Sequence, residues 1–165
     1  MDREDRAMAN IKNGLNKILE LICCVLFVFI TVVGTYQIVV RYVFNNPSTV
    51  SEELLTYSFT WLALLAAALV FGKKDHMRVS FIADKFEGKS AIILGIVTEL
   101  ITLVFAALVL IYGGTSITQL TTTQITASLG INMSYIYMIL PLCGTIIVIY
   151  NILNILEYLK KLKEN

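Results

Sequence analysis

Glu99 is the acid that stands furthest inside an apolar stretch of this 165-residue chain, eight residues after Ala91. At about 1.5 Å per helical residue, it lies roughly 12 Å from the nearer end of that stretch. A charge near the centre of a membrane helix costs on the order of 3 kcal/mol, so the carboxyl must be protonated, paired or facing water. Two interpretations follow: a carboxylate that couples ion or proton movement to transport, or a structural hydrogen bond within the protein or to a partner. A relay needs a second acid or base at comparable depth, and the sequence has none, which favours the structural interpretation.

A second group of charged residues brackets a turn between two apolar stretches. Arg41 closes the first stretch, an Asn-Asn-Pro turn follows at 45–47, and Glu52 and Glu53 precede the next stretch. Because such a turn can return the acids toward the arginine, we expect a partly buried ion pair that holds the hairpin together. Contact with a periplasmic or membrane partner is the alternative role for the same residues.

Three further residues are candidates for structural or partner contacts. Trp61 falls well inside the second apolar stretch, so we expect it to pack against a neighbouring helix rather than anchor at an interface. Pro141 removes one backbone hydrogen bond and should kink the last stretch. His76 follows Lys73 and Lys74 at a polar exit, where basic residues set topology and meet anionic lipid headgroups.

The sequence does not indicate catalytic, cofactor or metal chemistry, because it contains no nucleophile–base set, phosphate-binding loop or metal-ligand cluster. His76 is the only histidine, which excludes a haem held by two histidines and argues against a histidine-based zinc site. The cysteines lie inside apolar runs and are predicted to be small packing residues: Cys23, Cys24 and Cys143. The basic residues follow the edges of apolar stretches, so no nucleic-acid partner is expected. We therefore predict a protein that is not an enzyme and carries no cofactor.

The elements that position these residues are membrane helices. Hydrophobic residues make up 57% of the chain and charged residues 15%, against about 45–50% and 25% in soluble proteins. Apolar stretches of about 20 residues match a hydrocarbon core of roughly 30 Å. Four such spans are predicted, at about 21–41, 53–72, 91–112 and 133–156. The expected fold class is an all-α integral membrane protein, with residues 1–165 forming a single membrane domain of four transmembrane helices.

Two segments are predicted to rest at the membrane surface. Apolar residues recur at three- and four-residue steps in 7–20, which is typical of an amphipathic helix lying on the membrane before the chain turns in. The connection 73–90 between the second and third spans mixes basic and apolar residues and should form a cytoplasmic interfacial segment. Membrane lipids are therefore expected partners.

The distribution of lysine and arginine predicts the orientation. Twelve of the thirteen basic residues lie in the N-terminal segment, in the connection between the second and third spans, or at the C-terminus. Only Arg41 falls on the opposite side. Because basic residues concentrate in cytoplasmic segments, both termini are predicted to be cytoplasmic. The connections 41–53 and 113–132 then face outward.

Short motifs follow one another in a fixed order along the first half of the chain. An Arg-Tyr-x-Phe-Asn run at 41–45, which includes Tyr42, ends the first predicted span. A Ser-Glu-Glu element occupies 51–53. Each motif is short, so the order and spacing carry the information.

Further motifs continue this order to the last span. Trp61 is followed by an alanine patch at 66–68 and by a basic-x-x-His-x-x-Val exit at 73–79. A Ser-Leu-Gly-Ile-Asn entry at 128–132, similar to a Ser-x-Leu-x-Ile-Pro pattern, leads into a span that contains a tyrosine, a proline and a glycine: Tyr137, Pro141 and Gly144. In this combination the chain resembles the small, four-helix Q-type membrane subunit of tripartite ATP-independent periplasmic (TRAP) transporters.

The resemblance implies a noncatalytic, multi-pass scaffold subunit in a bacterial or archaeal inner (plasma) membrane. Its partners would be a larger multi-span subunit that carries substrate and sodium ions, and a periplasmic binding protein that delivers an organic acid of the C4-dicarboxylate or sialic-acid type. The alternative hypothesis is an autonomous four-helix transporter that uses Glu99 as its ion- or proton-coupling carboxylate.

Overall fold

The computed structural model describes residues 3–73 and 89–164, which form helices joined by short connections. In chain order these are α1 (Arg3–Tyr42), α2 (Thr49–Lys73), α3 (Lys89–Phe105), a π-helical segment (Ala106–Gly113), α4 (Gly114–Leu120), α5 (Met133–Tyr137) and α6 (Ile139–Glu164). Four spans are long and apolar enough to cross a membrane: Ala9–Tyr42, Thr49–Lys73, Ala91–Leu120 and Met133–Lys160. They are called the first to fourth spans below. This confirms the predicted all-α, four-span architecture.

The predicted amphipathic segment 7–20 and the predicted span 21–41 form one continuous helix. Arg3–Tyr42 contains 40 residues, or about 60 Å, roughly twice the thickness of a hydrocarbon core. The expected turn between a surface helix and the span is therefore absent, and the amphipathic segment extends the span instead. The reason lies in its polar residues, because Lys12 and Asn16 hydrogen-bond to the fourth span rather than rest among lipid headgroups.

The third span continues further than its apolar composition indicated. The chain stays helical through Gly113 and Gly114 to Leu120, so the polar connection begins at Thr121 rather than Thr115. Hydroxyl groups in this last part donate to carbonyl oxygens three or four residues earlier, as Thr118 does to Gly114 at 2.7 Å. Serine and threonine can be accommodated in this way inside a membrane helix, because the hydroxyl needs no partner outside it.

The fourth span is interrupted near its beginning. The side chain of Asn132 caps α5 by accepting a hydrogen bond from the Ser134 amide at 2.9 Å. The α5 helix ends at Tyr137, four residues before Pro141. A proline ring clashes with the carbonyl of the residue four positions earlier and cannot donate to it, which accounts for the interruption at this point.

Contacts among the described residues join the spans in the order first, second, fourth, third, and the first and third spans share few contacts. From this order we infer an open layer about one helix thick. The fourth span lies at the centre, with 39% of its most apolar window buried against 6% for the first span. One buried cluster joins the first, second and fourth spans: Leu19, Leu65, Ile139, Cys143 and Tyr150. A second cluster joins the second, fourth and third spans: Ala68, Ile147 and Ala106.

The three cysteines are free thiols, and Cys143 is fully buried in the first of these clusters, with Cys23 packed against it. The predicted interfacial segment between the second and third spans lies largely outside the described residues, at 74–88, and so does His76.

Gly72 provides a test of the packing between the first, second and fourth spans. A Cβ atom at this position would lie 2.5 Å from Asn16 Oδ1 and 2.5 Å from Cζ of the fully buried Tyr150. Because the tyrosine ring cannot move aside freely, Gly72→Ala should lower the free energy of unfolding by about 1–3 kcal/mol. The measurement is thermal unfolding of the purified protein in one detergent.

Gly14 supplies the matched control for that experiment. It lies in the same 40-residue helix as Asn16, and a Cβ atom there would meet nothing within 4 Å. Gly14→Ala should therefore be neutral or stabilising by up to about 1 kcal/mol. Equal melting temperatures for the two variants would contradict the proposed close approach at Gly72.

Candidate functional site

Polar side chains gather at the two ends of the bundle. The terminal end is where the N-terminal part of the first span meets the C-terminal part of the fourth, at Lys12 and Asn154. The loop end carries the turn at 43–48 and the loop at 121–132. Between the two ends the spans pack through small and apolar residues.

Glu53 organises the loop end. Its carboxylate accepts hydrogen bonds from three consecutive backbone amides of the loop, those of Ala127 at 3.1 Å, Ser128 at 2.8 Å and Leu129 at 2.8 Å. The hydroxyl of Tyr57, one turn along the same helix, donates a fourth bond at 3.0 Å. Hydrogen bonds to an ionised carboxylate are roughly twice as strong as those between neutral groups. One side chain of the second span therefore fixes the loop between the third and fourth spans.

The loop also carries hydrogen bonds of its own, which make it a suitable receptor for the carboxylate. The Thr126 amide donates to the Ile131 carbonyl at 2.8 Å, and the Ile131 amide donates to the Thr126 hydroxyl at 3.0 Å. Gly130, between them, has a φ of 67°, a left-handed conformation that glycine adopts without strain. The closed loop presents its amides of residues 127–129 together on one side, where Glu53 binds them.

The expected ion pair between Arg41 and the acids is not formed. Arg41 and Glu52 are both exposed, and within residues 3–73 and 89–164 no salt bridge joins Arg41 to either acid. Glu53 is instead saturated by the loop amides, which lie 74–76 residues away along the chain. The prediction was wrong because sequence proximity favoured the local arginine, whereas the fold brings a set of unpaired backbone donors to the acid.

Glu52 and Glu53 border a surface cavity at the loop end. Its volume is about 280 Å³, and it is lined by Thr49, Glu52, Glu53, Thr56, Tyr57 and Ser128. Because the loop amides engage Glu53, the exposed carboxylate of Glu52 supplies the accessible negative charge. Such a cavity can accept a polar or cationic group of another molecule.

Trp61 joins the second span to the beginning of the fourth. Its indole nitrogen donates to the carbonyl oxygen of Ile136 at 3.1 Å, and its ring packs against the first buried cluster. Ile136 belongs to the last turn of α5, where carbonyl groups lack an N–H donor within the helix. The indole N–H and a carbonyl near the interruption of the fourth span therefore satisfy each other.

Tyr42 and Pro141 have contrasting surroundings. Tyr42 is 73% exposed at the end of the first span. Pro141 packs against the third span, and a Cβ atom added at Gly114 would lie 2.9 Å from its Cδ. Tyr42 is thus available to lipid or a partner, whereas Pro141 contributes to packing within the chain.

Glu99 belongs to a hydrogen-bond network at the terminal end. The side-chain amide of Asn154 donates to Glu99 Oε1 at 3.0 Å, and Lys12 Nζ donates to Asn154 Oδ1 at 2.7 Å. Lys12 also lies 3.7 Å from Glu157 Oε1. One asparagine therefore connects an acid of the third span to a base of the first.

A second bond nearby joins the first and fourth spans. The Tyr150 hydroxyl donates to Asn16 Oδ1 at 2.6 Å, directly beside Gly72. The sequence reasoning missed the partners Lys12, Asn16, Tyr150 and Asn154. The sequence pattern that could have identified them is the recurrence of polar residues at three- and four-residue steps on the two helices. It occurs in segments that were otherwise predicted to face lipid or its headgroups.

The contacts of Glu99 place it relative to the other charged residues of the spans. Lys73 and Glu20 form an ion pair at 2.7 Å, where the charge-free part of the first span begins and that of the second ends. Lys12 lies eight residues beyond Glu20, or about 12 Å further toward the terminal end. Since Glu99 and Lys12 bind the same asparagine, Glu99 lies near the height of Lys12. The third span has 30 residues, more than the roughly 20 that a hydrocarbon core requires.

Glu53→Ala should release the loop, since hydrogen bonds to charged groups contribute about 1.5–3 kcal/mol each. We expect the amides of residues 127–129 to exchange their hydrogens at least about tenfold faster. Hydrogen–deuterium exchange on the membrane-reconstituted protein measures this directly. The adjacent Glu52→Ala is the control, because Glu52 is exposed and does not bind these amides. Unchanged protection in Glu53→Ala would show that the loop does not depend on the carboxylate.

Comparisons with known proteins agree with this architecture. A family model for the DctQ component of tripartite ATP-independent periplasmic transporters matches residues 30–161. The sialic acid TRAP transporter small permease protein SiaQ of Vibrio cholerae is 28% identical over 148 residues, covering 90% of this chain and 85% of its own length. Two putative TRAP transporter small permease proteins of Haemophilus influenzae are also similar.

The two Haemophilus proteins differ in the extent of the match. One is 29% identical over 103 residues, which cover 62% of this chain and 64% of the relative, slightly less than two thirds of its length. The other is 27% identical over 137 residues, covering 83% of this chain and 82% of the relative. The family match extends over well over half of the sequence and includes all of the second, third and fourth spans. The chain therefore belongs to the DctQ family of TRAP transporter components, which are small multi-pass membrane subunits and not enzymes.

Proposed function

We propose that the chain is the accessory subunit that supports a larger membrane subunit in sodium-coupled uptake of an organic acid. A periplasmic binding protein would deliver that acid, of the C4-dicarboxylate or sialic-acid type. The open layer of spans is the observation that carries the proposal. A layer one helix thick has two broad faces, and a large partner can cover one of them while lipid covers the other.

The bonding of Glu99 favours this role over that of an autonomous transporter. The carboxylate accepts a hydrogen bond from Asn154, whose other side-chain atom accepts one from Lys12. A coupling carboxylate must bind and release its ion from an open pathway, whereas this one is held in a hydrogen-bond network within the protein. That arrangement supports a structural role for Glu99.

The loop end is the proposed contact surface for the periplasmic partner. With the lysine-rich segments in the cytoplasm, the loop end faces outward, and both termini lie inside. The Glu53 contacts hold the 121–132 loop in one conformation. The cavity beside it presents the Glu52 carboxylate to a basic or hydrogen-bonding side chain of the partner.

Reconstituted transport tests the proposal. The chain, the large subunit encoded with it, and both together are placed in liposomes with an inward sodium gradient, and the binding protein is supplied loaded with a labelled organic acid. We expect uptake only when both membrane subunits are present, with loss of uptake when the sodium gradient is collapsed. Uptake by this chain alone would contradict the accessory role.

Glu99→Gln separates the structural role from the coupling role. Glutamine keeps a carbonyl oxygen that can accept the bond from Asn154, so assembly should persist and uptake should remain within about twofold of the unmodified complex. Glu99→Leu, which removes the acceptor, should reduce the yield of assembled complex. Abolished uptake by a fully assembled Glu99→Gln complex would show that the carboxylate takes part in coupling.

A further inference from the structure

Asn151 of the fourth span is the one buried side chain in the described part of the chain whose polar atoms lack a partner. Its relative exposure is 0%, and neither Oδ1 nor Nδ2 has a protein group within hydrogen-bond distance. Buried amides in folded proteins are almost always hydrogen-bonded to protein or to internal water. The neighbouring Tyr150 and Asn154 follow that rule, which makes Asn151 the exception within its own turn of helix.

The antiparallel packing of the third and fourth spans identifies what stands opposite Asn151. A Cβ atom on Gly95 would lie 2.9 Å from the Tyr158 ring, and Glu99 bonds to Asn154. From the first pair to the second, the contact therefore moves four residues forward along the third span and four residues backward along the fourth. One further turn from the Glu99–Asn154 pair brings Thr102 opposite Asn151.

Thr102 has hydrogen-bonding capacity left over. Its hydroxyl donates its single hydrogen to the Thr98 carbonyl at 3.0 Å, within its own helix. The oxygen retains lone pairs that can accept. Thr102 is half-buried, as expected of a residue at the contact between the two spans.

The geometry points to a buried water-binding site between Asn151 and Thr102. The ligand must accept from Nδ2 and donate to Oδ1, which a water molecule does with one oxygen and one hydrogen. A cation would satisfy only Oδ1, and the ammonium of Lys12 already lies one turn away, 2.7 Å from Asn154. An anion would satisfy only Nδ2, and the Glu99 carboxylate occupies the other side of the same turn. Three polar atoms are the usual number for a buried water.

The proposed site lies between a polar network and an apolar contact of the fourth span. The polar network of Glu99, Asn154 and Lys12 lies one turn toward the terminal end. The apolar contact of Ala68, Ala106 and Ile147 lies one turn toward the loop end. A water held by Asn151 completes the hydrogen bonds of the last polar residue before the apolar contact begins.

Water-edited solid-state NMR on the protein in lipid bilayers tests this site. Asparagine side chains are labelled with ¹⁵N, and magnetisation is transferred from water protons to the side-chain amide of Asn151. Its signal is assigned by its disappearance in Asn151→Leu, or in Asn151→Asp if the leucine variant does not fold. We expect transfer to this amide although it has no exposed surface, and no transfer would overturn the proposal.

Two threonine variants test the position of the site. Thr102→Val removes one of three polar partners and should reduce the initial transfer rate by at least about twofold. Thr98→Val is the matched control, since Thr98 donates to the Leu94 carbonyl in the same manner but is exposed. An unchanged transfer rate in Thr102→Val, or an equal fall in both variants, would overturn the assignment of Thr102.

Discussion

Asn154 holds three spans together through one side-chain amide. It donates to Glu99 of the third span, accepts from Lys12 of the first, and belongs to the fourth. Unpaired buried polar groups are costly, so the bonds to Asn154 favour an arrangement that keeps these three side chains together. They accompany a first helix that continues without interruption for 40 residues.

Glu53 plays the corresponding role at the other end of the bundle. Its carboxylate gathers three loop amides and a tyrosine hydroxyl, so the second span is tied to the connection between the third and fourth. With polar contacts at both ends and small residues between them, the fourth span serves as the axis of an open layer. A layer of this kind keeps its shape without closing into a bundle. That suits a family whose members are small components of larger transporters.

The sequence predicted the number of spans, because charge-free stretches of about 20 residues have few alternatives to crossing a membrane. The motifs around Arg41, Trp61 and Pro141 were sufficient to indicate the family. The contacts were harder to predict, because they join residues distant in sequence. Glu53 was expected to pair with a nearby arginine, but backbone amides 74–76 residues away bind it. Hydropathy ended the third span at Tyr112, whereas hydroxyls bonded within the helix accompany its continuation to Leu120.

The separation of the first and third spans tests the open layer most directly. Spin labels at Val25 and Tyr112, with the native cysteines replaced by alanine, are suitable because both side chains are exposed, by 61% and 72%. Each lies thirteen residues from its span's contact with Asn154, at Lys12 and Glu99 respectively, so the two labels stand at similar heights. Neighbouring helix axes are about 8–10 Å apart, so a layer with two spans in between predicts a separation beyond about 20 Å. Double electron–electron resonance measures such a distance, whereas dipolar broadening of the continuous-wave spectrum from a separation near 10–14 Å, roughly that of a closed four-helix bundle, would contradict the account.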